Sequence, residues 1–145
     1  MKLDLDDSIG LLLGRTTRAI ASKMQGRFAQ AGYDVTVEQW AILVNPWREN
    51  GQFQKQLAER TYKDKASVTR LVTGLEKRNL VVRVPDDADQ RHKRIYLTNK
   101  GKELQNELIS LAVKTIGNAS RGIEKEHLQI FKTVLVQLYA NVTEA

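Results

Sequence analysis

The sequence predicts a mainly helical fold with one small β-hairpin, on three observations from a single stretch, Gly51 to Gly101. Two runs of helical period, QKQLAERT and KASVTRLVTGLEKR, are joined by the three-residue turn Tyr62-Lys63-Asp64. Two short β-type runs follow, Val81 to Val84 and Arg94 to Leu97, separated by a charged loop. The third observation is charge: residues 48–102 carry 14 Lys and Arg against 7 Asp and Glu, and the rest of the chain carries 9 against 10. Helix, tight turn, helix, hairpin is the order of a winged helix-turn-helix, in which the second helix enters a DNA major groove and the hairpin is the wing. Positive charge concentrated on that unit is the footprint of a polyanion binder. The expected organisation is one domain: a winged helix-turn-helix lobe over about residues 33–100, with helical dimerisation regions at about 1–32 and 101–145.

The first helix is read from about Leu5 to Ala31, where Ile9, Leu13, Ile20, Met24 and Phe28 recur at helical spacing and Gly32 supplies a stop. Thr36 and Gln39 form a capping box that opens the second helix, whose apolar stripe is Trp40, Leu43, Val44 and Trp47. Pro46 removes a backbone hydrogen bond there, so a kink or an end is expected near Asn45, with the helix finished by Asn50-Gly51. Phe53 is expected in a very short strand paired with the wing. Gln54 to Thr61 forms the third helix, with Leu57 and Ala58 inward, and Asp64 caps the fourth, Lys65 to Arg78. Val68, Leu71, Val72 and Leu75 are its core stripe, and Asn79 suits the left-handed position just beyond it.

Pro85 ends the first wing strand, and Thr98 caps a fifth helix running to about Asn118. After a break at Ser120 to Gly122, a sixth helix runs from about Glu124 to Val142, with Leu128, Phe131, Leu135, Leu138 and Val142 in one row and Ile130 and Val134 in another. Helices apolar on more than one side need partners on both. A plain intrachain bundle is one solution; the economical one is a homodimer built by the first, fifth and sixth helices.

Composition narrows the function. Hydrophobic content of 41% and charged content of 28% suit a globular chain rather than a disordered one. No apolar run approaches the roughly 20 residues of a membrane span, and the acidic start MKLDLDDSIG is unlike a signal peptide. A cytoplasmic location without membrane association is the expectation. The absence of Cys removes disulfides, thiol nucleophiles and thiol redox sensing. His92 and His127 are too far apart in sequence to suggest a metal set, so no metal or cofactor is expected. Nothing pairs a nucleophile with a base, and Asp86, Asp87 and Asp89 read as turn-formers rather than a Mg²⁺ site. An enzyme is not expected.

Two motifs carry a family resemblance. LAERTYKDKASVTRLVTGLEKRNLVVR resembles the helix-turn-helix run of the MarR (multiple antibiotic resistance regulator) family, and DADQRHKRIYLTNKG resembles its wing signature, D-x-R, an apolar-rich strand, then L-T-x-x-G. The flanking helices are similar in number and order, so the resemblance covers the whole chain. Asn79 stands where the family usually has Gly, Gln90 where many members have Arg, and Pro46 is unusual. The resemblance implies a homodimeric bacterial transcription regulator, usually a repressor, on a double-stranded, pseudo-palindromic DNA operator. Release by a small aromatic or anionic effector, bound between the dimerisation helices and the DNA-binding lobe, is implied with it. A protein–protein interaction module and a ligand-independent activator are the alternatives.

The residues for these roles follow from position. The N-terminal part of a recognition helix meets base edges, which selects Ser67, Thr69 and Arg70, with Lys65 at the helix start. For Arg70, a base contact, a phosphate contact and an ion pair with Glu59 all remain open. Lys55 and Lys63, with Lys65, flank the turn as phosphate clamps. By resemblance Arg91 is the minor-groove arginine of the wing, with Asp89 orienting it; Lys93 and Arg94 are set to reach phosphates, and His92 is a surface residue. Arg15, Arg18, Tyr33, Trp40 and Trp47 offer aromatic rings and cations for an effector pocket, with core packing as the alternative for the two tryptophans.

Overall fold

The computed structural model describes Ser8 to Glu144. Ser8 caps α1 (Ile9–Gln30) by accepting from the Leu11 amide, so the expected start at Leu5 lies outside the described residues. α2 (Val37–Arg48) opens on the Thr36–Gln39 capping box, with both reciprocal hydrogen bonds made. β1 (Gln52–Phe53), α3 (Gln54–Thr61), α4 (Lys65–Lys77), β2 (Val81–Pro85) and β3 (Lys93–Leu97) complete the predicted lobe. The three strands form one antiparallel sheet in the order β1-β3-β2, with Phe53 opposite Arg94 and Val82 opposite Tyr96.

Local signals specify the turns. Tyr62 takes a left-handed conformation at φ 56° to close the turn between α3 and α4, and Asn79 takes one at φ 59° beyond α4. The core lies under these elements: Phe28, Ile42, Leu43, Leu57, Val68, Val72, Leu75 and Ile95 are fully buried.

Two expectations change. Of the two outcomes expected at Pro46, a kink or an end near Asn45, the end does not occur: α2 runs through Pro46 to Arg48 and is finished before Asn50-Gly51, as expected. A proline removes one amide donor, and so close to the helix end that is one bond in the final turn. The terminal carbonyls are also capped from outside the helix: the buried Gln52 amide donates to Asn45 O at 2.7 Å and to Glu49 O at 2.8 Å. The single helix expected from Thr98 to Asn118 is instead two, α5 (Asn99–Glu103) and α6 (Gln105–Ala119). Leu104, between them, keeps right-handed helical angles (φ −72°, ψ −20°), so the chain continues with little change of course.

α1 packs on α6, and Leu108, Ala112 and Thr115 turn inward. α7 (Lys125–Thr143) is different: none of its residues is buried. Ile130, Phe131, Val134, Val136, Tyr139 and Val142 are exposed on it, as are Val113 and Ile116 on α6.

The lobe and the helical region are joined at Gly101. A Cβ built there would lie 2.1 Å from the Leu80 carbonyl oxygen, whereas one at Gly26 in α1 would meet nothing within 4 Å. Gly101→Ala should therefore cost about 1–3 kcal/mol by forcing backbone apart, while Gly26→Ala should stabilise by about 0.5–1 kcal/mol through helix propensity. Urea unfolding of the two variants measures both, and a Gly101→Ala midpoint equal to the wild type would contradict the packing.

Candidate nucleic-acid interface

α4 owes its start to Asp64, whose carboxylate accepts from the Ser67 amide at 2.7 Å. That bond, with a smaller contribution from the Arg70 charge, holds the Asp64 carboxyl below the usual carboxylate range. The cap leaves the first turns of α4 facing outward. Lys65, Thr69 and Arg70 are exposed and Ser67 is half-buried. Among the described residues Arg70 makes no ion pair, and the pairing with Glu59 is not formed.

Thr69 is more constrained than its exposure suggests. Its hydroxyl donates to Lys65 O at 2.9 Å and accepts from the Gln54 side-chain amide at 2.7 Å. Its proton is thus committed inside the lobe, so it offers a base edge a methyl group and a remaining lone pair. The Ser67 hydroxyl donates to the Asp64 carboxylate and, after the Ser67 amide, helps to hold it below the usual range.

A cleft of about 330 Å³ opens between α3, α4 and the wing. Lys55, Lys65, Arg91, His92 and Lys93 line it together with Gln54, and no acidic side chain does. Lys63 belongs to the adjoining turn. Lys55, Arg91 and Lys93 thus converge with Lys65, whereas Arg94 does not. Its guanidinium donates to Asp86 at 2.8 Å and to Gly51 O at 3.0 Å, and it lies 4.0 Å over the Phe53 ring. Those contacts tie the base of the wing to β1 and engage Arg94 within the lobe.

Arg91 is held differently. Asp89 accepts its Nε at 3.1 Å and its Nη2 at 3.0 Å, while His92 Nε2 stands 3.4 Å from the same carboxylate. The Arg91 side chain is nevertheless 89% exposed, so Asp89 orients the guanidinium without covering it. Hydrogen bonds from Arg94 and Arg91 lower the Asp86 and Asp89 carboxyls respectively. The order they give the wing is complete above the ordinary aspartate value of about 3.9. It is lost only as pH falls through their lowered values.

Sequence reading missed Arg83 and Gln54. Arg83 donates from β2 to Thr69 O at 2.9 Å and to the Thr73 hydroxyl, and it pairs with Glu76 at 3.2 Å, which locks the wing to the recognition helix. A signal existed: strand parity places Arg83 on the same face as buried Val81, and a cation on an inward face needs partners. Gln54 carried no comparable signal.

The residues suggested for an effector pocket are dispersed. Arg15 and Arg18 are exposed on α1. Trp40 and Trp47 stack at 5.7 Å against the core, and Trp47 donates to Gly101 O at 2.9 Å. Tyr33 donates to Glu107, which raises the Tyr33 hydroxyl, and it lines a separate cleft with Arg78 and Lys100. Among the described residues no helix is long and apolar enough to cross a membrane.

Known proteins share this arrangement. Residues 35–93, from the approach to α2 through the wing loop, match the MarR family model. The chain is 33% identical over 82 residues to the HTH-type transcriptional regulator SarZ of Staphylococcus aureus (strain USA300), covering 57% of this chain and 55% of that protein. The match thus spans about half the length of that curated relative. A MarR-family transcriptional regulator from Rhodococcus sp. RHA1 superposes with a TM-score of 0.81 at 25% identity, over 94% of this chain and 96% of that one. CouR from Rhodococcus jostii RHA1, solved with p-coumaroyl-CoA, does so with a TM-score of 0.81 at 26% identity, over 94% and 95%. With its capped recognition helix, Asp–Arg wing and flanking helices, the chain has the fold of MarR-family winged helix-turn-helix regulators, and its residues 35–93 match that family's model.

Proposed function

We propose that this chain is a homodimeric, sequence-specific DNA-binding regulator that represses from a pseudo-palindromic operator. The observation that carries the reading is the cation-lined, acid-free cleft between α3, α4 and the wing. Lys55, Lys63, Lys65 and Lys93 supply phosphate contacts that fix register without reading sequence. Arg70, exposed and without an ion pair among the described residues, is the principal base reader. Ser67 and Thr69 assist it. Arg91, oriented by Asp89, enters the flanking minor groove, where narrow A·T-rich DNA concentrates negative potential. Arg94 braces the wing rather than gripping a phosphate.

The dimer reading rests on α7. A 19-residue helix with no buried residue and an exposed apolar face has little to hold it within its own chain, where Tyr139 meets the Tyr62 ring edge-on at 5.2 Å. A second copy, covering the Leu128, Phe131, Leu135, Leu138 and Val142 row, supplies the missing surface. CouR was solved with p-coumaroyl-CoA; release of this chain from DNA by an aromatic or anionic effector is the corresponding proposal.

In fluorescence anisotropy on operator and scrambled duplexes, Arg70→Ala should weaken operator binding selectively, by about 1–3 kcal/mol for each bidentate arginine–base pair removed. Equal losses on both duplexes would move the reading role to Ser67 and Thr69. Lys65→Ala should weaken both duplexes alike and flatten the slope of log K against log salt by roughly 2 for a dimer, at about 0.9 per phosphate. Salt-independent binding would instead favour a protein–protein module. Arg91→Ala should lose most on sites with A·T-rich flanks, and an effect blind to the flanks would remove its minor-groove role. Leu135→Asp should convert a dimer into a monomer in sedimentation, because an unpaired buried charge costs about 3–5 kcal/mol; a wild-type monomer with full operator affinity would overturn the assembly.

A further inference from the structure

Thr69 is exposed on α4, yet it is held from three sides. The half-buried Gln54, first residue of α3, donates its side-chain amide to the Thr69 hydroxyl at 2.7 Å. Within α4 that hydroxyl donates to Lys65 O at 2.9 Å. From the wing, Arg83 donates to Thr69 O at 2.9 Å, and the same oxygen accepts the Thr73 hydroxyl at 2.8 Å. A hydroxyl pointing out of a recognition helix is ordinarily free to rotate toward whatever base it meets. This one is not.

The bonds fix the polarity of what Thr69 shows to DNA. A backbone carbonyl can only accept, so the hydroxyl proton goes to Lys65 O and Gln54 has to present its N–H. Of the two lone pairs on the hydroxyl oxygen, Gln54 occupies one. One lone pair and the methyl group remain. Guanine shows only acceptors in the major groove, and the thymine carbonyl is an acceptor too, so neither receives a bond from Thr69. Adenine and cytosine each show an amino group that the lone pair can accept, and thymine alone shows a methyl group. An A·T pair therefore offers both matches and a G·C pair only one. Arg70, beside it in sequence, carries donors only and makes the opposite demand, which guanine meets.

We propose that Thr69 selects an A·T base pair in each half-site, and that Gln54 is the positioning residue that gives it this preference. The inference rests on the DNA reading above and names one base pair of the operator. Without the Gln54 donor, the hydroxyl loses its partner outside α4. Lys65 O also accepts the helical amide of Thr69, so the hydroxyl can turn away from it and donate to guanine. Arg83 still holds the Thr69 backbone, so the side chain stays at the groove while its preference relaxes.

The test is selection of bound sequences from a randomised duplex library by the full chain, as wild type, Thr69→Val, Gln54→Met and Gln54→Lys. Thr69→Val keeps the shape and removes the hydroxyl, so the position whose base preference it alters is the Thr69 contact. Wild type should choose A·T there over G·C by roughly tenfold or more, the scale of one mismatched base pair. Gln54→Met should bring the two pairs to within about threefold of each other, the change expected for one hydrogen bond. Gln54→Lys keeps an N–H donor and adds a cation to the cleft, so it should bind every duplex more tightly and still prefer A·T. That variant decides the matter if Gln54→Met binds too weakly to select. Deoxyuridine in place of the selected thymine removes only a methyl group and should weaken wild type by about fourfold.

Four results overturn the proposal and leave the DNA reading standing. They are no position altered by Thr69→Val, G·C at that position, an A·T preference that survives Gln54→Met, and one that is lost in Gln54→Lys. Indifference to deoxyuridine does the same, because the preference then comes from DNA shape rather than contact. A wild type that enriches no sequence refutes the DNA reading, and this inference with it.

Discussion

The fold depends on one close approach, that of Gly101 to the Leu80 carbonyl. Leu80 O accepts the Thr98 amide at 3.1 Å, and the Thr98 hydroxyl accepts the Gly101 amide at 3.0 Å and donates to Asn79 O. Gly101 O accepts from Trp47 at 2.9 Å. The end of α4, both long strands of the wing, the start of α5 and the last turn of α2 therefore meet within a few atoms. Any Cβ at residue 101 would separate them. Through that junction the helical region is coupled to the reading head by backbone contacts, which have little room to yield.

The reading head divides its cations by what holds them. Arg83 and Arg94 each have several acceptors within the lobe and keep the wing at a fixed distance from α4 and β1. Lys55, Lys65 and Arg70 have none among the described side chains, and Arg91 is oriented yet exposed. Preorganised donors aimed outward lose less conformational freedom on meeting a ligand than long free side chains would. The same wing thus contains a rigid base and a free tip, built from neighbouring arginines of identical chemistry.

Beyond the lobe, one unmet demand remains on the helices. The exposed apolar side chains of α7 and α6 call for a nonpolar cover, which a second copy supplies in the proposed assembly.

What the sequence determined by itself is local. The Thr36–Gln39 box, the Asp64 and Thr98 caps, the left-handed Asn79 and the strand runs each depend on contacts within a few residues, so pattern and spacing suffice to read them. The net charge of residues 48–102 pointed to the reading head for the same reason, because it needs no geometry. Tertiary structure decided the rest. Whether Pro46 ends α2 depended on Gln52 reaching back to cap its carbonyls, and whether Arg94 is free depended on Gly51 and Asp86 arriving beside it. Trp47 became a bonded core residue because Gly101 O stands 2.9 Å away, although 54 positions separate them in the chain. Long side chains have many possible partners along a sequence, and only the packed fold selects one.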